Sequence, residues 1–192
     1  YRNYVRGLIA VVLGAKNELL RSIRNIPLIL INNQLDAPNV HCIASDHAQG
    51  ANVATRHLLE RGHTRIGFME VLRDAWGSRE RQRGFRQAFM DAGLTPPLHL
   101  MRFCEEEPVV DTLLPLLSEK PTALVVCGED LSLEVNRLLI HDLGVKIPDE
   151  LSVISSEVSY VSSMLSPPQT TIAQPWEQLG SSAVDRMIRL IE

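Results

Sequence analysis

The stretch that decides the fold runs from Ala44 to Met69, "ASDHAQGANVATRHLLERGHTRIGFM". Ala48, Ala51, Thr55, Leu58 and Leu59 recur at helical spacing, which predicts an amphipathic helix over 47–61 that packs by that face. Asp46-x-x-Gln49 fits a capping box at its start, and Gly62 fits a C′ stop at its end. An apolar run, "TRIGFME" (64–70), follows at once and reads as a strand. The stretch also carries Asp46, His47, His57 and His63, residue types that suit a metal or catalytic cluster. Their spacing argues against one. His47 and His57 stand about 15 Å apart along the helix axis, and His63 lies beyond Gly62. Solvated or hydrogen-bonded histidines are the expectation, with no metal ligand among them.

The same alternation extends in both directions. Further candidate strands are "GLIAVV" (7–12), "PLILIN" (27–32), "LHLMRF" (98–103), "TALVVC" (122–127) and "LSVIS" (151–155). Helices are predicted at about 79–92, 108–118, 131–143 and 175–192. Gly93 and Gly144 close two of them, Pro175 suits a first helical position, and Pro115 should kink or shorten the one it interrupts. A βαβα order argues for a mostly parallel sheet with helices on both faces.

At 192 residues, with 45% hydrophobic and 22% charged residues, the chain has the composition of an ordinary globular protein with a sizeable core. A formal net charge of −4 argues against nucleic-acid binding by this piece alone. Cys42, Cys104 and Cys127 are odd in number and far apart, as free thiols in a reducing cytosol would be. No apolar run approaches the roughly 20 residues of a membrane span, and the first ten residues lack a signal-peptide core. A cytoplasmic chain is expected.

Phosphate-loop, dinucleotide, nucleophile-elbow and HExxH motifs are absent, so no catalytic residue and no cofactor is nominated. Polar residues instead gather where strands end, the edge at which open α/β sheets bind ligands. Asn32 and Asn33 follow the strand at 27–32, Glu129 and Asp130 the one at 122–127, and Ser156 and Glu157 the one at 151–155. Asp46 opens a helix whose N-terminus points the same way. In "SRERQRGFRQAFMDAG" the apolar stripe runs Phe85, Ala88, Phe89 and Ala92, and one turn back along it lies Arg81. An arginine on an inward face near the helix start needs an anionic or oxygen-rich partner. That partner is either a ligand diol or carboxylate or a nearby acid, such as one of Glu105–Glu107. Trp76, in the loop before this helix, either stacks on a ligand ring or caps an apolar cluster. Glu105–Glu107 reads as a solvated cap ahead of Pro108.

Four segments together resemble the effector-binding domain of the lactose/galactose repressor (LacI/GalR) family. "SDHAQGANVATRHLLERGHTRIGFM" is similar to its D-x-x-x-G-x-x-x-A-T-x-H-L-x-x-x-G-H-x-x-I stretch, and "SRERQRGFRQAFMDAGL" to its S-x-x-R-x-x-G-F helix. "LGVKIPDELSVIS" resembles its G-x-x-(V/I)-P strand segment, and "LSPPQTTIAQPWEQLGSSAVD" its P-P-L-T-T-I-x-Q-P run. The order is right and nearly the whole chain is covered. The resemblance implies a periplasmic-binding-protein-like type I fold: α/β, two doubly wound parallel-sheet lobes joined by crossovers. Residues 1–62 plus 175–192 would form an N-terminal lobe, incomplete here by two βα units, and residues 63–171 the C-terminal lobe. A DNA-binding headpiece is expected but absent from this sequence.

The function so implied is effector sensing by a bacterial transcriptional regulator. A small polar metabolite, a sugar or related polyol, would bind in the interlobe cleft and modulate operator DNA binding by the helix-turn-helix, in a homodimer. Motif positions place Asp46 and Arg81 at effector contacts, with Asn32 and Trp76 at the same strand-end edge. The family's Asn-Asp reads Glu129-Asp130 here, and its Gly-Phe-Asp-Asp reads Ser155-Ser156-Glu157-Val158. Acids at Asp46, Glu129 and Glu157 favour a hydroxyl-rich neutral or cationic effector. Two other readings stay open: an exported sugar-binding receptor on the same fold, and an enzyme on a doubly wound scaffold.

Overall fold

The computed structural model describes residues 5–12, 17–156 and 161–192. Among these, eight strands and six α-helices alternate: β1 Leu8–Val11, α1 Asn17–Ser22, β2 Leu28–Ile31, β3 Val40–Ile43, α2 His47–Glu60, β4 Ile66–Glu70, α3 Trp76–Asp91, β5 Met101–Phe103, α4 Val109–Ser118, β6 Ala123–Cys127, α5 Glu129–Arg137, β7 Ser152–Ser156, β8 Thr170–Ile172 and α6 Trp176–Ile191. All described strand pairs are parallel, in two sheets ordered β1-β2-β3 and β5-β4-β6-β7-β8. The α/β reading from periodicity therefore holds.

The chain divides into two compact units. The smaller comprises Tyr1–Asp46, Asp74–Gly77 and Pro175–Glu192. Its sheet is buried on both faces at β2, "LILI". Ile29 and Ile31 pack on Leu179, Ala183 and Met187 of α6, while Leu28 and Leu30 meet Leu20 and Leu35 on the other side. This two-sided burial is why β2 reads as a continuous apolar run. At the sheet's edge, β1 leaves Leu8, Ile9 and Val11 exposed.

The larger unit comprises His47–Arg73 and Ser78–Gln174. One face of its five-stranded sheet packs Leu124, Val126 and Val153 against Leu113 and Leu116 of α4 and Leu131 and Val135 of α5. The other packs Phe68, Val125 and Ile154 against Ala54 and Leu58 of α2 and Phe85 and Phe89 of α3. Phe85 holds ring contacts at 5.1 Å to Phe68 and 5.2 Å to Phe89, a tilted aromatic cluster of the favourable kind. The resemblance implies a lobe boundary after α2, at Gly62. Here α2 lies with the larger unit, because Ala54 and Leu58 are part of that unit's core.

Gly84 sets the crossing of α2 and α3. A Cβ there would collide with the backbone carbonyl of Ala48, so only glycine lets the helices approach this closely. The glycine stops hold as read. Gly62, at φ +87°, sits in a Schellman motif: its N–H bonds Leu59 O at 2.9 Å and that of His63 bonds Leu58 O at 3.1 Å. Gly93 closes α3 in the same way, with Leu94 N–H bonded to Phe89 O at 2.8 Å.

Several local readings need correction. β3, β8 and α1 were not anticipated, since each is short and lacks a strong period. The run at 98–103 is a 3₁₀ turn, Leu98–Leu100, before a three-residue strand. α3 begins at Trp76 and α5 at Glu129, each earlier than predicted. The helix expected to reach 143 gives way to a π-helical turn over Leu138–Asp142. Pro115 does not shorten α4, which runs through it to Ser118. The N–H it lacks would have met Asp111 O, nearly two turns into the helix, and Ser118 Oγ donates to the Pro115 carbonyl at 2.7 Å.

Candidate functional site

The parallel register of the larger sheet lines up its strand ends. Glu70, the last residue of β4, lies level with Cys127 of β6, and Cys127 lies level with Ser156 of β7. Gly128 follows at φ +107° and turns the chain into α5, whose first residues are the exposed Glu129 and Asp130. This carboxyl edge carries the polar cluster of the unit.

Its centre is Arg81. The α2–α3 crossing at Ala48 and Gly84 places His47, one residue before Ala48, next to Arg81, one turn before Gly84. The Arg81 guanidinium donates from Nε to Glu70 Oε2 at 2.7 Å, with side-chain exposures of 13% and 4%. Its Nη1 lies 3.3 Å from His47 Nδ1. A guanidinium only donates, so Nδ1 is the acceptor in this contact. Glu70 Oε1 accepts the N–H of Val71 at 3.0 Å.

The acid that meets Arg81 is Glu70, not a member of Glu105–Glu107. No signal marked Glu70, which reads in sequence as the polar end of an apolar strand. A buried acid at a strand terminus facing an inward arginine one helix later is the pattern that would have found it. His47, expected as a solvated or hydrogen-bonded histidine, is a member of the cluster and is only 8% exposed. The other two histidines sit elsewhere: His57 beside Arg61 Nη1 at 3.1 Å, and His63 Nδ1 3.0 Å from Thr122 Oγ1. Among the described residues no group of three or more His, Cys, Asp or Glu is placed to hold a metal.

Neighbouring groups hold the cluster in place. Gln82 Nε2 donates to Arg73 O at 2.8 Å, tying α3 to the loop after β4. Glu105 Oε1 accepts the N–H of Arg73 at 3.0 Å, and the Arg73 guanidinium stacks 4.0 Å above the Phe103 ring. Glu105 therefore anchors a loop and is more than a solvated cap.

On the smaller unit, Asn32 takes φ +54° and its Oδ1 accepts the Ser45 N–H at 2.9 Å. Asn33 Nδ2 donates to Val12 O at 3.2 Å. Asn32 thus shapes the turn out of β2 and fixes the segment leading to Asp46, which is exposed immediately before α2. Trp76 is half-buried and opens α3, rather than lying in a free loop. Glu157 falls outside the described residues.

A family model described as a periplasmic binding protein-like domain matches residues 55–192. The chain belongs to that family. It is 29% identical over 196 residues to the HTH-type transcriptional repressor PurR of Aliivibrio fischeri, covering 98% of this chain and 58% of that protein. The chain therefore spans little more than half the length of this curated relative.

Among solved structures, the transcriptional regulator CelR–cellobiose complex superimposes with TM-score 0.87 at 24% identity, over 98% of this chain and 60% of that one. A LacI family transcriptional regulator from Enterococcus faecium with bound ribose gives TM-score 0.82 at 21% identity, over 97% and 70%. Both show the shared fold. Among the described residues no helix is long and apolar enough to cross a membrane.

Proposed function

We propose that this chain is the effector-sensing part of a bacterial LacI/GalR-type transcriptional repressor, and that its effector is a neutral, hydroxyl-rich molecule such as a sugar or polyol. Cytoplasmic location, a homodimer, and operator binding through a helix-turn-helix belong to the same reading. They rest on the matched relatives, among them an HTH-type repressor.

The observation that carries the choice of effector is the Arg81–Glu70 pair. A free guanidinium at this edge would recruit a phosphate or carboxylate. With Glu70 at 2.7 Å its charge is already offset, and Glu129 nearby on the same edge adds negative potential. What the cluster offers a ligand is an array of donors and acceptors without net positive charge, suited to hydroxyl groups. Asp46, Arg81, Glu129 and Glu157 are proposed as effector contacts by motif position, Asn32 and Trp76 by their place after strand ends, and Glu70 and His47 as the groups that orient Arg81. Cellobiose and ribose in the two structural neighbours support a sugar.

The test is calorimetric titration of the complete protein with neutral mono- and disaccharides and polyols, and separately with sugar phosphates and sugar acids, each followed by an operator mobility shift. A neutral compound that binds and changes operator affinity is the expected result. Micromolar binding of a sugar phosphate or acid, with none of any neutral compound, would overturn the choice of effector.

A further inference from the structure

Glu70 is the one charged residue of β4, whose other positions are buried apolar residues and a glycine. A carboxylate taken out of water is strongly unfavourable unless a cation and hydrogen bonds meet it. Here both oxygens are held. Oε1 accepts the Val71 N–H at 3.0 Å, and Oε2 accepts the Arg81 Nε–H at 2.7 Å. The backbone is fixed as well, since the Cys104 N–H donates to Glu70 O at 2.9 Å. The negative charge is thereby pinned against the Arg81 guanidinium from the β4 side.

Other ion pairs are built differently. Arg56–Glu60, Arg83–Glu80 and Arg137–Glu134 each lie within one helix, three or four residues apart, with exposed arginines. Water screens such pairs and they contribute little. Arg81–Glu70 joins α3 to β4 with side chains 13% and 4% exposed, where screening is weak. Glu129 and Asp130 share the same edge but are exposed, so solvent damps their fields. The charge that a ligand meets at Arg81 is set chiefly by Glu70.

We propose that Glu70 is the specificity-determining residue of the effector site. Its carboxylate cancels the Arg81 charge and so excludes phosphorylated and carboxylated compounds. A neutral group in its place turns Arg81 into an anion site. The inference rests on the effector reading above, in that both put the ligand at Arg81. At 4% side-chain exposure Glu70 acts through Arg81 and not by touching the ligand. Glutamine is the informative replacement, because it keeps the shape and an acceptor oxygen while removing the charge.

The test is thermal melting and calorimetry of the complete protein with sulfate as the probe, against chloride at matched ionic strength. The parent should show no saturable stabilisation by sulfate beyond that of chloride. Glu70→Gln should bind sulfate at least about tenfold tighter than the parent, the value of one charge-assisted hydrogen bond. Adding Arg81→Gln should abolish the gain, and Glu70→Asp, which keeps the charge, should not show it. A purely structural role for Glu70 would lower the Tm of Glu70→Gln equally in both salts. A folded Glu70→Gln with the parent's sulfate affinity would overturn the proposal. So would sulfate binding by the parent that Arg81→Gln removes, an outcome readable even where Glu70→Gln does not fold. Neutral saccharides that fail to bind the parent, with the sulfate gain intact, would sink the effector reading alone.

Discussion

Replacing Glu70 with leucine tests the centre of the candidate site. The substitution leaves the Arg81 guanidinium, on a side chain 13% exposed, without the carboxylate now 2.7 Å from its Nε. Two unit charges about 4 Å apart near a protein surface interact by roughly 4 kcal/mol. Breaking one side of a buried pair costs about 3–5 kcal/mol, because the remaining charge stays desolvated. Arg81 keeps His47 Nδ1 at 3.3 Å, which puts Glu70→Leu toward the low end, about 3 kcal/mol. Adding Arg81→Leu removes the buried guanidinium as well, and the double variant should recover to within about 1 kcal/mol of the parent, as apolar replacement of buried pairs often does. Urea denaturation followed by circular dichroism gives all the stabilities of this double-mutant cycle. A cost below about 1 kcal/mol for Glu70→Leu, or a double variant no more stable than that single one, would refute the reasoning that each group's burial depends on the other.

Three further outcomes are expected. Gly84→Ala drives a Cβ into the Ala48 carbonyl and should cost about 1–3 kcal/mol, read as a lowered Tm; an unchanged Tm would mean the helices separate freely. Iodoacetamide should label the exposed Cys42 well before the buried Cys104 and Cys127, as peptide mass spectrometry after timed quenching would show. Burial pushes the Cys104 thiol up against a lowering hydrogen bond with Thr112, and Glu70 and Glu107 add to the rise. The Arg137 hydrogen bond holds the Glu134 carboxyl below its ordinary value, so its contribution to stability is present above the unfolded pKa and is lost as pH falls through the folded one. Comparing urea midpoints of the parent and Arg137→Ala should show a small difference at neutral pH that fades in acid and in high salt; a difference that persists in acid would contradict this.

Much of the fold was legible because its signals are local. The period of Ala48–Leu59, the glycines at 62 and 93, and the apolar run of β2 each report the environment of their own segment. A helix face or a two-sided strand must be written in the residues that form it. The strands missed, β3 and β8, are held by pairing with neighbours that lie far along the chain or beyond a loop. Three or four residues carry too little pattern to announce that. The strand-end edge was also legible, since α/β alternation with parallel pairing puts every strand's carboxyl end on one side.

The sequence by itself determined the alternation of elements, the glycine stops of α2 and α3, the family motifs, and the presence of an inward-facing arginine at position 81. Only the tertiary structure decided which acid meets that arginine, that His47 joins it, and that Gly84 must be glycine. The physical reason is common to all three. Ion pairing, close backbone approach and hydrogen-bond satisfaction depend on distances between residues that no local period encodes. Here Glu70, Arg81 and His47 become neighbours because the crossing at Gly84 brings α2 against α3 above the end of β4.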